Sequence, residues 1–191
     1  MAPSGYILYL GVDKKLPGLK HHTLYFNEDR DETFGKIFGG DQPPMDPSFY
    51  ICSPSQTDPS VAPEGKENLF ILVPFTPGVE FTQEQDDQYR DMILTKIEDL
   101  IGEKFKAQII EEHRFGVKEF KDRYNAYKGT ALGIAHTLRQ TAIFRPNTKS
   151  KIVKNLFYTG QYTNPGIGMP ICLISGKLAY ERVAAAELEN V

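Results

Sequence analysis

The sequence contains no tryptophan, only two cysteines and no surplus of positive charge. Cys52 and Cys172 stand far apart in the chain, so they form neither the closely spaced set typical of a zinc site nor a disulfide framework. Lysine and arginine number 22 against 25 aspartate and glutamate residues, which gives a net charge of −3. Without a basic excess the chain has little to hold a phosphate backbone, and we expect no nucleic acid partner.

Long apolar runs and a secretory leader are also missing. No stretch reaches the roughly 18 consecutive apolar residues of a membrane span. The segment from Met1 to Gly5 lacks the basic and apolar regions of a signal peptide. Together with the scarcity of cysteine, these features favour a reducing, cytoplasmic location.

The chain does have enough apolar material for a core, since 40% of its 191 residues are hydrophobic. Strand and helix patterns alternate irregularly, which predicts an α+β fold: a mixed or antiparallel sheet with covering helices, followed by a terminal strand–loop–helix. The first two strands are expected to pair with each other across the short turn between them. Strands are predicted at 6–12, 21–27, 48–52, 69–75, 107–113 and 155–159, and helices at about 30–38, 82–102, 116–124, 130–141 and 169–188.

The segment 82–102 has the clearest helix pattern. Thr82 is a predicted N-cap, and Gln85 stands three residues later, as in a capping box. Apolar residues recur on one stripe, and Gly102 supplies a natural end. We therefore expect a surface helix that covers the sheet.

The stretch from Asn155 to Lys177 carries the most chemical information. Its pattern predicts a short apolar strand ending at Gly160, a loop rich in glycine and proline, and a helix that begins near Met169. The free N–H groups of that first helical turn suit an anion or the polar edge of a ring, and glycines allow a planar ligand to approach the backbone. The plain alternative, in which the glycines serve only the turn, fits the spacing equally well.

This stretch resembles the C-terminal flavin-binding motif of the bacterial-type phytoene desaturases, also called phytoene dehydrogenases or carotenoid desaturases. They are FAD-dependent flavoproteins related to the amine oxidases. Other segments resemble the family in the same order along the chain, including one similar to its Asp-Pro-Ser-x-Ala-Pro-x-Gly signature. These segments are Tyr9–Gly11 with His21–Thr23, Thr57–Gly65, Asn125–Ala131 and Gln140–Pro146.

The resemblance also implies a domain organisation for the chain. Family members begin with a Rossmann unit whose Gly-x-Gly-x-x-Gly turn holds the FAD pyrophosphate, and no such turn occurs here. We therefore expect a C-terminal part that lacks the N-terminal Rossmann half. Residues 1–145 would form a partial substrate-binding domain, with helices leading into the FAD domain from about 116. Residues 146–191 would form the last strand–loop–helix of the FAD-binding domain.

The same resemblance assigns five cofactor-binding residues. Gly160 and Gln161 would lie near the ribityl or pyrophosphate portion of FAD. Gly168, Met169 and Pro170 would lie beside the pyrimidine edge of the isoalloxazine ring. Many amine-oxidase relatives carry an acidic residue where this chain has the neutral Gln161, which weakens any specific hydrogen bond assigned to that side chain.

Several other residues invite a functional reading. The family commonly has His-Pro-Gly where this chain has 164–166, Asn-Pro-Gly, so no catalytic residue is assigned. His21 and His22 are neighbours on a predicted strand and would point to opposite faces, so no metal site is expected. His136 is predicted to be a buried histidine in an apolar helix. Arg145 has two readings of equal weight, a contact with an FAD phosphate or an anchor for a carboxylate.

The activity implied by the resemblance is desaturation of a long isoprenoid such as phytoene, in which a hydride leaves one carbon for the flavin and a proton leaves its neighbour. Relatives with similar motifs isomerise or saturate polyenes instead. Two further alternatives are a non-catalytic fragment that binds a hydrophobic polyene and a split-gene subunit that needs an N-terminal half in trans. FAD is expected in the complete enzyme, and weakly or not at all in this chain alone. A lipid-soluble substrate implies peripheral contact with the inner face of the cell membrane.

Overall fold

The computed structural model describes residues 1–27 and 29–188. The chain divides into two compact units. We call Ser4–Gly129 the sheet unit, and Met1–Pro3 together with the chain from Thr130 onward the loop unit. The assignment of 1–145 to substrate and 146–191 to flavin concerns function and stays a prediction.

The sheet unit is built on one antiparallel sheet, which confirms the predicted α+β class. Its strands are β1 (Ser4–Val12), β2 (His22–Tyr25), β3 (Phe49–Cys52), β4 (Glu67–Phe75) and β5 (Ile109–Phe115). Their spatial order is β2-β3-β4-β1-β5. The sheet therefore places the two longest strands, β1 and β4, side by side at its centre.

The predicted pairing of the first two strands was wrong. All nine residues of β1 pair with β4, from Ser4 opposite Phe75 to Val12 opposite Glu67, and the other edge of β1 pairs with β5. The four-residue β2 pairs with β3 instead. Nearness in sequence favoured the pairing of β1 with β2, but two long apolar strands bury more surface when they pair with each other.

Three helices of the sheet unit were predicted close to their observed bounds. They are α1 (Arg30–Gly39), α2 (Gln83–Ile101) and α3 (Val117–Tyr124). At the start of α2 the Thr82 hydroxyl accepts the Gln85 N–H at 3.3 Å, and the Gln85 side chain accepts the Thr82 N–H at 2.9 Å. The helix ends at Gly102, which has a φ of 68°. The capping box and glycine stop are thus confirmed.

The core lies between the sheet and α2. Alternate residues of β1 and β4 are buried on this face, and they meet a stripe of α2 side chains that includes Ile93 and Ile97. Tyr89 of α2 packs edge-on against Tyr6, with ring centroids 5.1 Å apart, and lies 5.5 Å from Phe75. The helix α2 covers only this face of the sheet, so the side chains on the opposite face do not contact it.

The loop unit contains little regular structure apart from α4 (Met169–Leu188). The helix predicted at 130–141 is absent: the Thr130 hydroxyl oxygen lies 3.2 Å from the Gly133 N–H, and Gly133 adopts a φ of 76°. A side-chain acceptor thus replaces the helical backbone bond. The strand predicted at 155–159 is reduced to an isolated bridge between Lys149 and Phe157. Within the described residues, no helix combines the length and apolar character needed to cross a membrane.

An ionic cluster joins α2 to β5 in the sheet unit. Glu112 accepts hydrogen bonds from Arg90 at 2.6 Å and from Arg114 at 2.6 Å, and Arg114 also contacts Asp86 and Asp87. Burial alone would raise the pKa of the Glu112 carboxyl, but the bonds from both arginines outweigh it and hold that pKa below its usual range.

We expect the ionic cluster to make the sheet unit sensitive to acid. The folded-state pKa of Glu112 lies below its unfolded value of about 4.3, so its contribution to stability is present above about pH 4.3 and lost as the pH falls further. Glu112→Gln should lower the urea midpoint at pH 7 and flatten its fall between about pH 5 and pH 3. Glu111→Gln, an exposed neighbour, is the matched control. Equal pH profiles for wild type and Glu112→Gln would show that the cluster does not contribute.

Candidate functional site

Arg145 is the buried centre of the loop unit. Its Nε donates to the Thr163 carbonyl at 3.0 Å, and its two terminal nitrogens donate to four more carbonyls, at distances from 2.5 to 3.3 Å. Those four carbonyls belong to Ile134, Ala135, Gln140 and Gln161. Since a guanidinium has five N–H donors, all of them are used.

This geometry corrects both sequence-based readings of Arg145. With only 3% of its surface exposed and every donor bound to a carbonyl, the side chain is neither a phosphate contact nor a carboxylate anchor. Burial lowers the pKa of the guanidinium, which nevertheless stays charged. Arg145 instead holds 134–140 against 161–163.

The backbone at 159–160, which precedes the loop rich in glycine, is bound to α4 through a buried serine. The Gly160 N–H donates to Ser175 Oγ at 3.0 Å, and Thr159 Oγ1 lies 3.4 Å from the same oxygen. Ser175 is fully buried, and Gly160 has a φ of 98°. Ser175 therefore holds α4 close to the backbone at 159–160.

His136 packs against the glycine loop. A Cβ built on Gly166 would lie 2.4 Å from His136 Nε2, so the ring occupies the space that any larger residue would need. The prediction that His136 is buried in a helix was wrong: it is exposed and lies outside any helix. Its position depends on Gly166, which has a φ of 143°.

The start of α4 leaves main-chain donors accessible. The Cys172 N–H donates to the Gly168 carbonyl at 2.8 Å and so begins the helical ladder. The N–H groups of Met169 and Ile171 precede that bond and have no acceptor within the helix, while Pro170 has no N–H to lose. A Cβ on Gly168 would meet only the Ile171 side chain, at 3.7 Å, and one on Gly160 would meet nothing within 4 Å.

These features suit a planar, polar-edged ligand. Bare backbone at Gly160 and Gly168 leaves room that a side chain would fill, and the helix start offers donors and a favourable dipole to negative charge. The residues present therefore fit a flavin cofactor. Of the five residues predicted to bind it, Gly168, Met169 and Pro170 are exposed, and Gly160 and Gln161 are half-buried.

The sheet unit also has a candidate binding surface, which lies on the side of the sheet away from α2. We call it the open face. Its side chains form two rows, each running straight across all five strands. One row is Leu24, Tyr50, Leu72, Ile7 and Phe115, and the other is His22, Cys52, Phe70, Tyr9 and His113.

The open face is mainly apolar and aromatic. The Tyr9 and Phe70 rings lie 5.4 Å apart, and the Phe70 and Tyr50 rings 6.2 Å apart. A shallow cavity of about 270 Å³ lies along the second row, lined by Tyr9, Phe70 and Cys52 among others. Tyr9 is 44% exposed. An apolar surface left open on a folded unit is typical of a site that receives a hydrophobic ligand or partner.

No family model matches the chain. Among curated proteins, the chain is 47% identical over 190 residues to a carotenoid 3,4-desaturase of Haloarcula japonica, an alignment that covers 100% of this chain and 38% of the relative. It is 36% identical over 184 residues to a zeta-carotene-forming phytoene desaturase of Myxococcus xanthus, covering 94% of this chain and 35% of the relative. It is 32% identical over 188 residues to a 4,4'-diaponeurosporene oxygenase of Staphylococcus haemolyticus, covering 97% of this chain and 38% of the relative.

The chain belongs to the carotenoid desaturase family. It spans 35–38% of the length of these relatives and corresponds to their C-terminal part. The resemblance drawn from the sequence motifs is thereby confirmed.

The sequence motifs of this desaturase family did not reveal every residue that builds the two surfaces. The partners of Arg145 are main-chain atoms, which carry no side-chain signal. The two rows of the open face depend on which strands pair, and that pairing was predicted wrongly. The alternation of half-buried residues on β3 and β4 marks this second face only in the folded structure, because the sequence from Leu69 to Phe75 contains no polar residue.

We expect Arg145→Met to loosen the loop unit. Several buried carbonyls each lose a donor, at about 1 kcal/mol or more apiece, so the local free energy of opening should fall by about 3 kcal/mol or more. Amide hydrogen exchange across 134–163 measures this, with β1 as the internal reference. Arg139→Met, at an exposed position, should change exchange by less than about 0.5 kcal/mol. Unchanged protection in Arg145→Met would contradict the assigned role.

Proposed function

We propose that this chain is the C-terminal segment of an FAD-dependent carotenoid desaturase. In this proposal the open face of the sheet unit receives the polyene, and the loop unit contributes main-chain contacts to FAD. Membership in the family supports the proposal, and the observation that carries it is the apolar open face. Its chemistry matches a ligand that has no polar group to recognise.

The shape of the open face favours an extended ligand. Each row crosses five strands, and four spacings of about 4.8 Å give a length of about 19 Å. Aromatic and aliphatic side chains dominate both rows, so binding would rest on apolar area removed from water, at about 25 cal/mol per Å². Ile7 of the first row is buried, and Phe115 packs against Phe120 of α3 with ring centroids 4.8 Å apart. A long isoprenoid chain laid across the strands would therefore lie mainly along the second row.

The flavin contacts are proposed at Gly160, Gln161, Gly168, Met169 and Pro170. When bound, FAD supplies the acceptor for the hydride taken from the polyene. The chain's own part is to present N–H donors at the start of α4 and to keep side chains out of the way at the two glycines. Donors and a helix dipole at that position favour negative charge on a nearby carbonyl oxygen.

The relatives carry both desaturase and oxygenase names. The chemistry these names share is oxidation of a carotenoid, and the desaturase relative at 47% identity favours desaturation for this chain. The alternative of a polyene-binding segment without redox activity predicts binding to the open face but no flavin retention when the chain is co-expressed with an N-terminal half.

The loop unit also carries the surface for a proposed partner. Large apolar side chains are exposed there to an extent unusual in a folded unit. They are Leu138, Ile143, Phe144, Ile152, Met169 and Leu173. We propose that the flavin-binding N-terminal half of the enzyme packs against these side chains, either in one polypeptide or in trans.

A further apolar cluster suits peripheral contact with a membrane. Its exposed members are Phe26, Phe34, Phe38 and Met45. The Asn27 side chain holds them together, because it donates to Thr33 Oγ1 on α1 at 2.8 Å and to the Asp46 carbonyl at 2.7 Å. Aromatic and methionine side chains at such a site would enter the boundary between headgroups and acyl chains, where a lipid-soluble substrate is found.

We expect Gly168→Ala to lower flavin retention by at least about tenfold, since a Cβ at this position intrudes on the proposed cofactor and costs about 1.4 kcal/mol or more of binding. The measurement is flavin absorbance in protein purified after co-expression with the N-terminal part of the Haloarcula relative.

The matched control for this variant is Gly65→Ala. Gly65 also has a positive φ, 77° against 116° at Gly168, and a Cβ there meets nothing within 4 Å, whereas one on Gly168 meets only the Ile171 side chain at 3.7 Å. Urea unfolding of both variants measures the difference in backbone strain. Flavin retention should fall only in Gly168→Ala. A similar loss in both variants, or in neither, would count against flavin contact at the start of α4.

We expect Tyr9→Glu to weaken binding of phytoene by at least about tenfold, because a carboxylate on the open face must be desolvated against hydrocarbon. Co-sedimentation of the purified chain with phytoene-loaded vesicles measures it. Leu100→Glu on α2 adds the same charge at nearly the same exposure, 46% against 44%, and should bind as wild type does. Equal binding by both variants would exclude the open face as the polyene surface.

A further inference from the structure

Two histidines and a cysteine come together at one end of the open face. One ring nitrogen of His21, one of His22 and the Sγ of Cys52 all lie within 4.8 Å of one another. The two imidazole rings are 4.3 Å apart between centroids. His22 is exposed, and His21 and Cys52 are half-buried, so the three atoms are open to an ion from solvent.

This arrangement removes the geometric reason for expecting no metal. The prediction assumed that both histidines lie on one strand and point to opposite faces. In fact β2 begins at His22, and His21 lies in the bend before it. The change of backbone direction at that bend brings the two rings to the same side.

Backbone pairing holds the three residues in place. His22 and Cys52 are directly opposite each other in the β2–β3 ladder. One residue further along, the Ser53 N–H donates to the His21 carbonyl at 2.8 Å. The ligand atoms are therefore carried by a hydrogen-bonded sheet edge, and only side-chain rotations remain to be fixed.

Each ring also has a hydroxyl partner. Nδ1 of His21 lies 2.6 Å from Thr57 Oγ1, and Nδ1 of His22 lies 2.7 Å from the Tyr50 hydroxyl. In metal sites one histidine nitrogen usually donates to an oxygen acceptor, which orients the ring and leaves the other nitrogen for the ion. A hydroxyl oxygen can accept that hydrogen bond.

We propose that His21, His22 and Cys52 form a binding site for a borderline-soft divalent cation of the Zn²⁺ class. Two imidazoles and one thiolate are ligands that such ions prefer over Ca²⁺ or Mg²⁺. Tetrahedral Zn²⁺ with bonds of about 2.1 and 2.3 Å places its ligand atoms about 3.4–3.6 Å apart, so the distances of up to 4.8 Å in the observed cluster shorten by about 1.4 Å at most on binding. The Cys52 thiol releases its proton to solvent when it binds.

Three protein ligands leave the fourth tetrahedral position open. Zinc sites with an open position hold water or a substrate group, whereas structural zinc sites use four protein ligands. The site does not depend on the proposed polyene binding, since it involves only the end of one row.

The test is a titration of the untagged chain with Zn²⁺, followed by Co²⁺ as a spectroscopic substitute. We expect one Zn²⁺ per chain by calorimetry, and Co²⁺ spectra with a thiolate-to-metal charge-transfer band and the d–d bands of a tetrahedral site. Cys52→Ser should abolish the charge-transfer band and lower Zn²⁺ affinity by more than about 10–100-fold, the loss typical of removing even an outer partner.

The chain supplies its own matched controls. Cys172→Ser removes the other cysteine, and His136→Ala removes a histidine of the loop unit. Both should keep the stoichiometry and the spectrum. His22→Ala is a second test at an exposed position that does not put folding at risk, and urea unfolding verifies that each variant is folded.

The hydroxyl partners provide a further readout. Tyr50→Phe and Thr57→Val leave all three ligands in place, yet each should weaken Zn²⁺ binding by about 10–100-fold. The proposal is overturned if Zn²⁺ binds no more tightly to wild type than to Cys52→Ser, or if Cys172→Ser loses the charge-transfer band instead.

Discussion

All five N–H donors of Arg145 are taken by main-chain carbonyls, so peptide dipoles surround a buried charge and fix the paths of two separate loops. Outside α4 the loop unit has little regular secondary structure, so the shape of its glycine loop depends on this guanidinium and on the bond from Gly160 to Ser175. The role of this positive side chain is to fix the conformation of the loops rather than to take part in chemistry. It explains how a segment with so many glycines and bends keeps one arrangement in front of α4.

The two units present surfaces of different character. The loop unit offers bare backbone and the donors of a helix start, which suit a polar-edged planar group. The sheet unit offers two straight rows of apolar side chains, which suit a long hydrocarbon. Our proposal assigns the first surface to FAD and the second to a carotenoid.

The sheet edge at β2 and β3 adds chemistry that neither surface supplies. The second row of the open face ends at His22 and Cys52, and His21 lies beside them. Apolar side chains are therefore followed by metal-binding ones within one strand pair. Cross-strand pairing of His22 with Cys52 creates this change, while the bend at His21 completes it. The same sheet that displays the apolar rows therefore also carries a set of coordinating atoms.

Local sequence determined what depends on neighbouring residues. The bounds of α2 followed from Thr82, Gln85 and Gly102, and the α+β class followed from the mixture of patterns, because capping and periodicity act within a few residues. The family followed from motifs spread in order along the chain. Only the tertiary structure decided that β1 pairs with β4, that Arg145 binds carbonyls, and that His21 and His22 meet Cys52. Each of these depends on atoms brought together from distant parts of the chain, where free energy is decided by total burial and hydrogen bonding rather than by local pattern.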